Sequence, residues 1–328
     1  MKSEFRALTE REVIEILRTP APTLVLFHVR PDGDAVGSAF ALSLWLSAMG
    51  SPAFCLSEDE VPAYLRFLSD GLQESTRFSA MPAAFENARV ITVDTPSPAQ
   101  LGELFEKFGD RVTLMIDHHG KGTPYADHYI RPEAAAAGEI VYDLIAASGV
   151  DMPPRSAALL YAAISSDTGG FRYSNTTKET HLRAAALLDA GIDAAEINRR
   201  LFDCKSYKTL LAERAGFDRL HLFADGRVAV ITMPYEVRTA LDLSEEHLST
   251  LIDMARSVAG VDVAASLRQP EPGGSYHVSL RANADVDVSA IAAVFGGGGH
   301  KRAAGCGITA KDADEAEAKL VAAVLAAL

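Results

Sequence analysis

Four segments of the chain share one arrangement, an apolar run whose C-terminal edge carries Asp or His. TLVLFH (23–28) ends at His28 and runs into Pro-Asp-Gly-Asp, which supplies Asp32 and Asp34. ARVITVD (88–94) ends at Asp94, and RVTLMID (111–117) ends at Asp117 before His118 and His119. LLYAAISSD ends at Asp167, ahead of Thr-Gly-Gly. If these ends are neighbours, five carboxylates and three imidazoles converge. Without cations the carboxylates would repel one another and several would have to be protonated. Divalent cations remove that conflict. Carboxylate oxygen with imidazole nitrogen, and no thiolate, suits Mn²⁺ or Mg²⁺ better than structural zinc.

Taken singly, each piece has an ordinary reading. Asp-Gly-Asp after Pro makes a turn, Asp94 ahead of Thr-Pro-Ser-Pro makes a helix N-cap, and histidines are often satisfied in cores. The coincidence at four ends is what points to a metal centre. A second feature lies near the C-terminus, where four glycines (296–299) precede His300, Lys301 and Arg302. Backbone N–H groups unobstructed by Cβ can close round a phosphate, and the basic neighbours add charge. Arg281, at the end of SYHVSLRA, is a further candidate anion ligand beside its alternative as a solvated strand-end arginine.

The elements that must position these residues follow from apolar periodicity. The continuous runs at 23–28, 88–94 and 111–117 fit strands buried on both faces, with helices at 36–49 and 98–107 as parallel crossovers. Ligands of such sheets bind outside the carboxyl ends of the strands. Helices are expected near 137–148, 155–164 and 176–190, the last opening on Thr176 with Glu179 at capping-box spacing. Residues 193–222 read as mostly helical. After them come strands at 227–233, 261–268 and 275–282 and a helix at 244–257. The fold class is α/β. A doubly wound, mostly parallel sheet (1–195) is joined by a helical linker (196–220) to a smaller α/β domain (221–328).

Composition bounds the partners. The chain has 328 residues, 48% of them apolar, and a formal charge of −13, which argues against a long positive track for duplex nucleic acid. A short nucleotide in a local basic pocket stays compatible with it. No apolar run is long enough for a bilayer, and the charged start MKSEFRALTEREVIEILR does not read as a secretory signal. Cys55, Cys204 and Cys306 are far apart and odd in number, as expected of reduced thiols in the cytoplasm.

HVRPDGDAVGS, VITVD, IDHHG and SSDTGGFRYSNTT, in that order, resemble the signature motifs of the DHH phosphoesterases, and GGGGHKRAAG resembles the DHHA1 domain that often follows. The likeness covers nearly the whole chain, and the subgroup it resembles is the two-domain nanoRNase/pAp phosphatase type. It implies that His28, Asp32 and Asp94 hold one Mn²⁺ (or Mg²⁺), and that Asp34, Asp94, His118 and Asp167 hold the other, with Asp94 bridging. It implies further that His119 faces the substrate phosphate, that Asp117 orients the histidines, and that metal-bound hydroxide attacks a phosphoester in line. Arg281, Gly297, Gly298, Gly299, His300 and Arg302 would hold the nucleotide end. The chain departs from relatives after the histidine pair, with GKGTPYADHY and then four alanines at 134–137.

The resemblance implies hydrolysis of short oligoribonucleotides, of 3′-phosphoadenosine 5′-phosphate, or of both. A phosphodiesterase for cyclic or linear dinucleotides would use the same site, and a non-catalytic nucleotide sensor is the rival from another class. Substrate preference and oligomeric state, a homodimer included, stay open in the sequence.

Overall fold

Strands whose residues are apolar at every position need cover on both faces, and the first half of the chain supplies it. The computed structural model describes residues 5–328, with the backbone alone for His300. The chain divides into two compact units, Met1–Cys204 and Lys205–Leu328.

The first unit runs α1 (Glu10–Arg18), β1 (Thr23–Leu26), α2 (Gly33–Ala48), β2 (Ala53–Leu56), α3 (Arg66–Ser69), β3 (Arg89–Val93), α4 (Glu103–Phe108), β4 (Val112–Asp117) and β5 (His128–Ile130). Four helices follow: α5 (Ala137–Ser148), α6 (Pro154–Asp167), α7 (Lys178–Leu188) and α8 (Ala194–Asn198). The strands form one parallel sheet in the order β2-β1-β3-β4-β5. Val25, Ile91, Val93, Leu114 and Ile116 pack beneath α2, α5 and α6, while Leu24, Leu26, Val90 and Met115 face Leu101, Leu104 and Phe108. That two-sided burial is why the strands read as unbroken apolar runs. Strand order reverses between β1 and β3, so a crevice opens beyond their carboxyl ends.

The helices over the sheet approach closely. A Cβ on Gly37 would lie 2.5 Å from the Leu159 carbonyl oxygen, and one on Gly138 would lie 2.6 Å from Ala163 Cβ. Glycine at these two positions lets α2 and α5 press against α6, which brings the N-terminal turns of α2 and α5 to the C-terminal end of α6.

The second unit contains α9 (Tyr207–Phe217), β6 (Leu220–Phe223), β7 (Val228–Met233), α10 (Tyr235–Ala240), α11 (Leu251–Arg256), β8 (Val263–Arg268), β9 (Ser275–Ala282), α12 (Val288–Ala293), β10 (Gly298–His300), β11 (Ala303–Thr309) and α13 (Ala313–Leu325). Its six-stranded sheet has the order β10-β11-β9-β8-β7-β6, and only β7 and β8 pair in parallel. One face packs on α12 and α13 and the other on α9 and α11. The fold is α/β in both units, as read from the sequence. Among the described residues no helix is long and apolar enough to cross a membrane.

Several boundaries differ from the sequence reading. The helix expected over 98–107 is a 3-10 turn followed by α4, because Gly102 takes a positive φ of 57° between them. The helix expected over 244–257 is a 3-10 turn at Glu246–Leu248 followed by α11 from Leu251. The cap of α7 is Thr177 rather than Thr176, with Thr180 returning the hydrogen bond in place of Glu179. Within 193–222 the helix stops at Phe217, and Leu220–Phe223 is an edge strand.

Candidate metal centre

The first motif leaves β1 as a loop held at several points. His28 Nδ1 lies 2.8 Å from the Val29 carbonyl, and Ser57 Oγ donates to the His28 carbonyl at 3.0 Å. A carbonyl only accepts, so Nδ1 carries the proton and Nε2 is left for the crevice. Arg30 adopts a left-handed conformation (φ 52°) ahead of Pro31, and its N–H is fixed by Asp59 Oδ2 at 2.8 Å. Asp32 then caps α2 through the Ala35 N–H. It is therefore both turn chemistry and a carboxylate placed beside His28.

Asp34, in the first turn of α2, is buried. Its oxygens accept the N–H groups of Ala137 (2.6 Å) and Gly138 (2.9 Å), the first residues of α5. Ala136 offers α5 no side-chain cap, so the carboxylate of another helix serves. Asp94 sits just past β3 with φ 54°, and Oδ1 of its buried carboxylate has no hydrogen-bond partner among the described residues. Asp117 Oδ1 accepts both the N–H and Nδ1–H of His119, each at 2.8 Å. His118 Nδ1 points at the Ala134 carbonyl (3.3 Å), which again leaves Nε2 for the crevice. Asp167 closes α6.

Six of these side chains bring potential metal-donor atoms together. His28 Nε2 lies 3.5 Å from Asp94 Oδ2 and 3.7 Å from Asp32 Oδ1. His118 Nε2 lies 3.5 Å from Asp94 Oδ1, 3.7 Å from Asp167 Oδ2 and 3.8 Å from Asp34 Oδ2. His28–Asp32–Asp94 and Asp34–His118–Asp167 each form a compact group of donor atoms, and Asp94, His118 and His119 form a third. Most of these gaps are too long for good hydrogen bonds. Two ligands bonded to one ion at about 2.1 Å stand roughly 3–4 Å apart, so the spacing fits shared cations. The partnerless Asp94 Oδ1 and the oxygen-and-imidazole donor set fit them as well.

Electrostatics point the same way. Burial lowers the pKa of the His28 imidazole, yet Asp32 and Asp94 outweigh it and push it up to about 11. His118 is likewise pushed up to about 11 by Asp94, Asp34 and Asp167 against burial. Burial alone would raise Asp94, but His118 and His28 hold it well below the usual carboxylate range. Asp34 is raised by burial and by Asp94 and Asp167. Asp167 is pushed up to about 7, chiefly by burial. Bare, the cluster neutralises itself with protons that cations would displace.

The remaining expected residues lie in the second unit. Arg281 in β9 pairs in register with Ala303 of β11, and Arg302 lies in the turn of the β10–β11 hairpin. The glycine run enters that hairpin instead of forming a free loop. A Cβ on Gly297 would lie 2.2 Å from the Gly305 carbonyl oxygen, and one on Gly299 would lie 2.6 Å from that of Ala303. Packing thus accounts for those two glycines, while Gly298 has open space around its Cα. The His300 side chain lies outside the described residues.

Phe171 packs on Tyr161 and stacks on His181, whereas the Tyr173 ring lies against Gly169 with 41% of the residue exposed. Sequence reasoning missed Ser57 and Asp59, which fix the first motif from a separate loop, and missed that the alanine run acts through its backbone. For Asp59 the only available signal was an acid following a strand.

A model of the DHH family, N-terminal domain, matches residues 22–164, and a DHHA1 domain model matches residues 225–327. The bifunctional oligoribonuclease and PAP phosphatase NrnA of Thermus thermophilus is 32% identical over 96% of this chain and 93% of its own. The crystal structure of an exopolyphosphatase-related protein from Bacteroides fragilis superimposes with a TM-score of 0.89 at 22% identity, covering 97% of this chain and 96% of that one. RecJ of Thermus thermophilus, solved with Mn²⁺, gives 0.55 at 16% identity over 96% of this chain and 55% of its own. Motif order, donor geometry and both domain matches agree, and the chain belongs to the DHH–DHHA1 phosphoesterase family.

Proposed function

We propose that the chain is a divalent-cation-dependent phosphoesterase that hydrolyses very short oligoribonucleotides, 3′-phosphoadenosine 5′-phosphate, or both. The observation that carries this reading is the convergence of His28, Asp32, Asp34, His118 and Asp167 about Asp94, whose two oxygens face different histidines. The substrate class is supported by the NrnA relative, which matches over nearly its whole length.

His28, Asp32 and Asp94 would hold one ion, and Asp34, Asp94, His118 and Asp167 the other, with Mn²⁺ the preferred ion and Mg²⁺ an alternative. When bound, such ions offset charge on phosphoryl oxygens and acidify water. Asp94 is the one ligand common to both sets. With its Nδ1–H committed to Asp117, His119 keeps Nε2 uncommitted, and that atom would contact a phosphate oxygen. In the second unit Arg281, Gly297, Gly298, Gly299, His300 and Arg302 would recognise the nucleotide end. A chain of charge −13 with one compact basic hairpin suits a short ligand over a polymer.

The test is product analysis with Mn²⁺ on 5′-labelled RNAs from dimers upward, 3′-phosphoadenosine 5′-phosphate, cyclic di-AMP and pyrophosphate. Loss of the shortest RNAs, or phosphate release from the bisphosphate, is expected. Cleavage confined to cyclic di-AMP or pyrophosphate would overturn the substrate assignment, and nucleotide binding without turnover would favour a sensor.

A further inference from the structure

Two residues of the Asp34–His118–Asp167 group, Asp34 and His118, depend on one short stretch of backbone. Ala137 and Gly138 donate to Asp34, and the Ala134 carbonyl accepts from His118 Nδ1. This stretch is four alanines and a glycine, so no side chain of its own can fix it. Two side chains from outside it do. Glu139 Oε2 accepts the Ala135 N–H at 3.2 Å and lies 3.4 Å from Arg183 Nη1. Arg183 is in turn locked by two contacts to Asp143, at 2.8 and 2.6 Å. Asn175 Nδ2 donates to the Ala135 carbonyl and to the Asp167 carbonyl, both at 3.1 Å.

Ala135 is therefore held at both its N–H and its carbonyl, and the Asn175 amide also ties this stretch to the end of α6 that carries Asp167. The His28–Asp32–Asp94 group uses none of these contacts. His28 is fixed by Val29 and Ser57, and Asp32 by the Ala35 N–H. The two groups have separate supports.

We propose that Glu139 and Asn175 are positioning residues for the Asp34–His118–Asp167 cation site and not for the His28–Asp32–Asp94 site. The inference rests on the two-cation reading above, and its signature is asymmetry. General loosening of the fold would weaken both sites together. Loss of this support weakens one.

The experiment is Mn²⁺ titration followed by the electron paramagnetic resonance signal of free Mn²⁺, on the full chain. The wild type is expected to take up two ions. In Asn175→Ala and in Glu139→Ala one site should weaken about 10–100-fold while the other stays within about threefold, the usual range for losing an outer partner of a ligand. Glu139→Gln keeps an acceptor for the Ala135 N–H and should restore most of the lost affinity. Circular dichroism in EDTA checks folding, and Asn175→Ser decides the matter if Asn175→Ala does not fold. Equal weakening of both sites, or no change in either, overturns the inference and leaves the two-cation reading standing. A wild-type chain that binds fewer than two ions overturns that reading, and the inference with it.

Discussion

Asp94 and Asp167 make unequal contributions to the proposed centre, and the inequality can be measured as stability. Asp94 turns Oδ2 toward His28 and Oδ1 toward His118, each at 3.5 Å, so it serves both donor groups. Asp167 lies 3.7 Å from His118 and belongs to the Asp34–His118–Asp167 group alone among the described residues. A ligand that binds only the folded state stabilises it by about 2.7 kcal/mol per site at a hundredfold excess over Kd, or roughly 5 kcal/mol for two sites. For a unit the size of Met1–Cys204, each kcal/mol shifts Tm by about 2–4 °C.

The wild type should thus gain roughly 10–20 °C on replacing EDTA by saturating Mn²⁺. Asp167→Asn should keep about half of that gain, because one group survives, and Asp94→Asn should keep almost none. Asn is the substitution of choice at 94, where φ is 54° and Asn tolerates the left-handed region. Differential scanning calorimetry of each variant with and without metal isolates the gain from any change in metal-free stability. The partition would be wrong if Asp94→Asn kept more than half of the wild-type gain, or if Asp167→Asn lost as much as Asp94→Asn.

Three further outcomes are expected of the same site and its supports. His28 and His118 are pushed up to about 11, so both carry protons at pH 7.5 and must lose them to bind an ion. Mn²⁺ uptake should therefore release at least two protons, since Asp34 and Asp167 are raised as well, and affinity should rise with pH; calorimetry in buffers of different ionisation enthalpy checks this, and uptake with no release contradicts it. Gly37→Ala places Cβ 2.5 Å from the Leu159 carbonyl and should cost about 1–3 kcal/mol, read as a lower Tm in EDTA. Arg302→Ala should raise KM for nucleotides while sparing a small generic ester, and equal losses on both would remove Arg302 from recognition.

The sequence located the six residues whose donor atoms converge, and for a physical reason. A strand buried on both faces must be apolar throughout, so Asp94 and Asp117 stand out sharply where β3 and β4 stop. The same logic found β1, β7, β8 and β9. It failed for β2 and β5, which are short and only partly buried, and for β10, whose glycines carry no periodicity. It failed also where backbone does the work. The alanines at 134–137 read as a departure from relatives, yet their N–H and carbonyl groups hold Asp34 and His118. Backbone donors have no side-chain signature. Asn175 was visible in the SNTT segment, but nothing in its spacing told that its amide would reach Ala135, forty residues earlier.

Hydrolysis of a 5′-labelled diribonucleotide in Mn²⁺ by the wild type and by Asp94→Asn tests the central claim most directly. The account predicts mononucleotide product from the wild type and a loss of at least about a thousandfold in kcat/KM for the variant, since both cation sites lose their shared ligand. Equal rates for the two proteins, or a wild type that cleaves neither the dinucleotide nor 3′-phosphoadenosine 5′-phosphate, would contradict it.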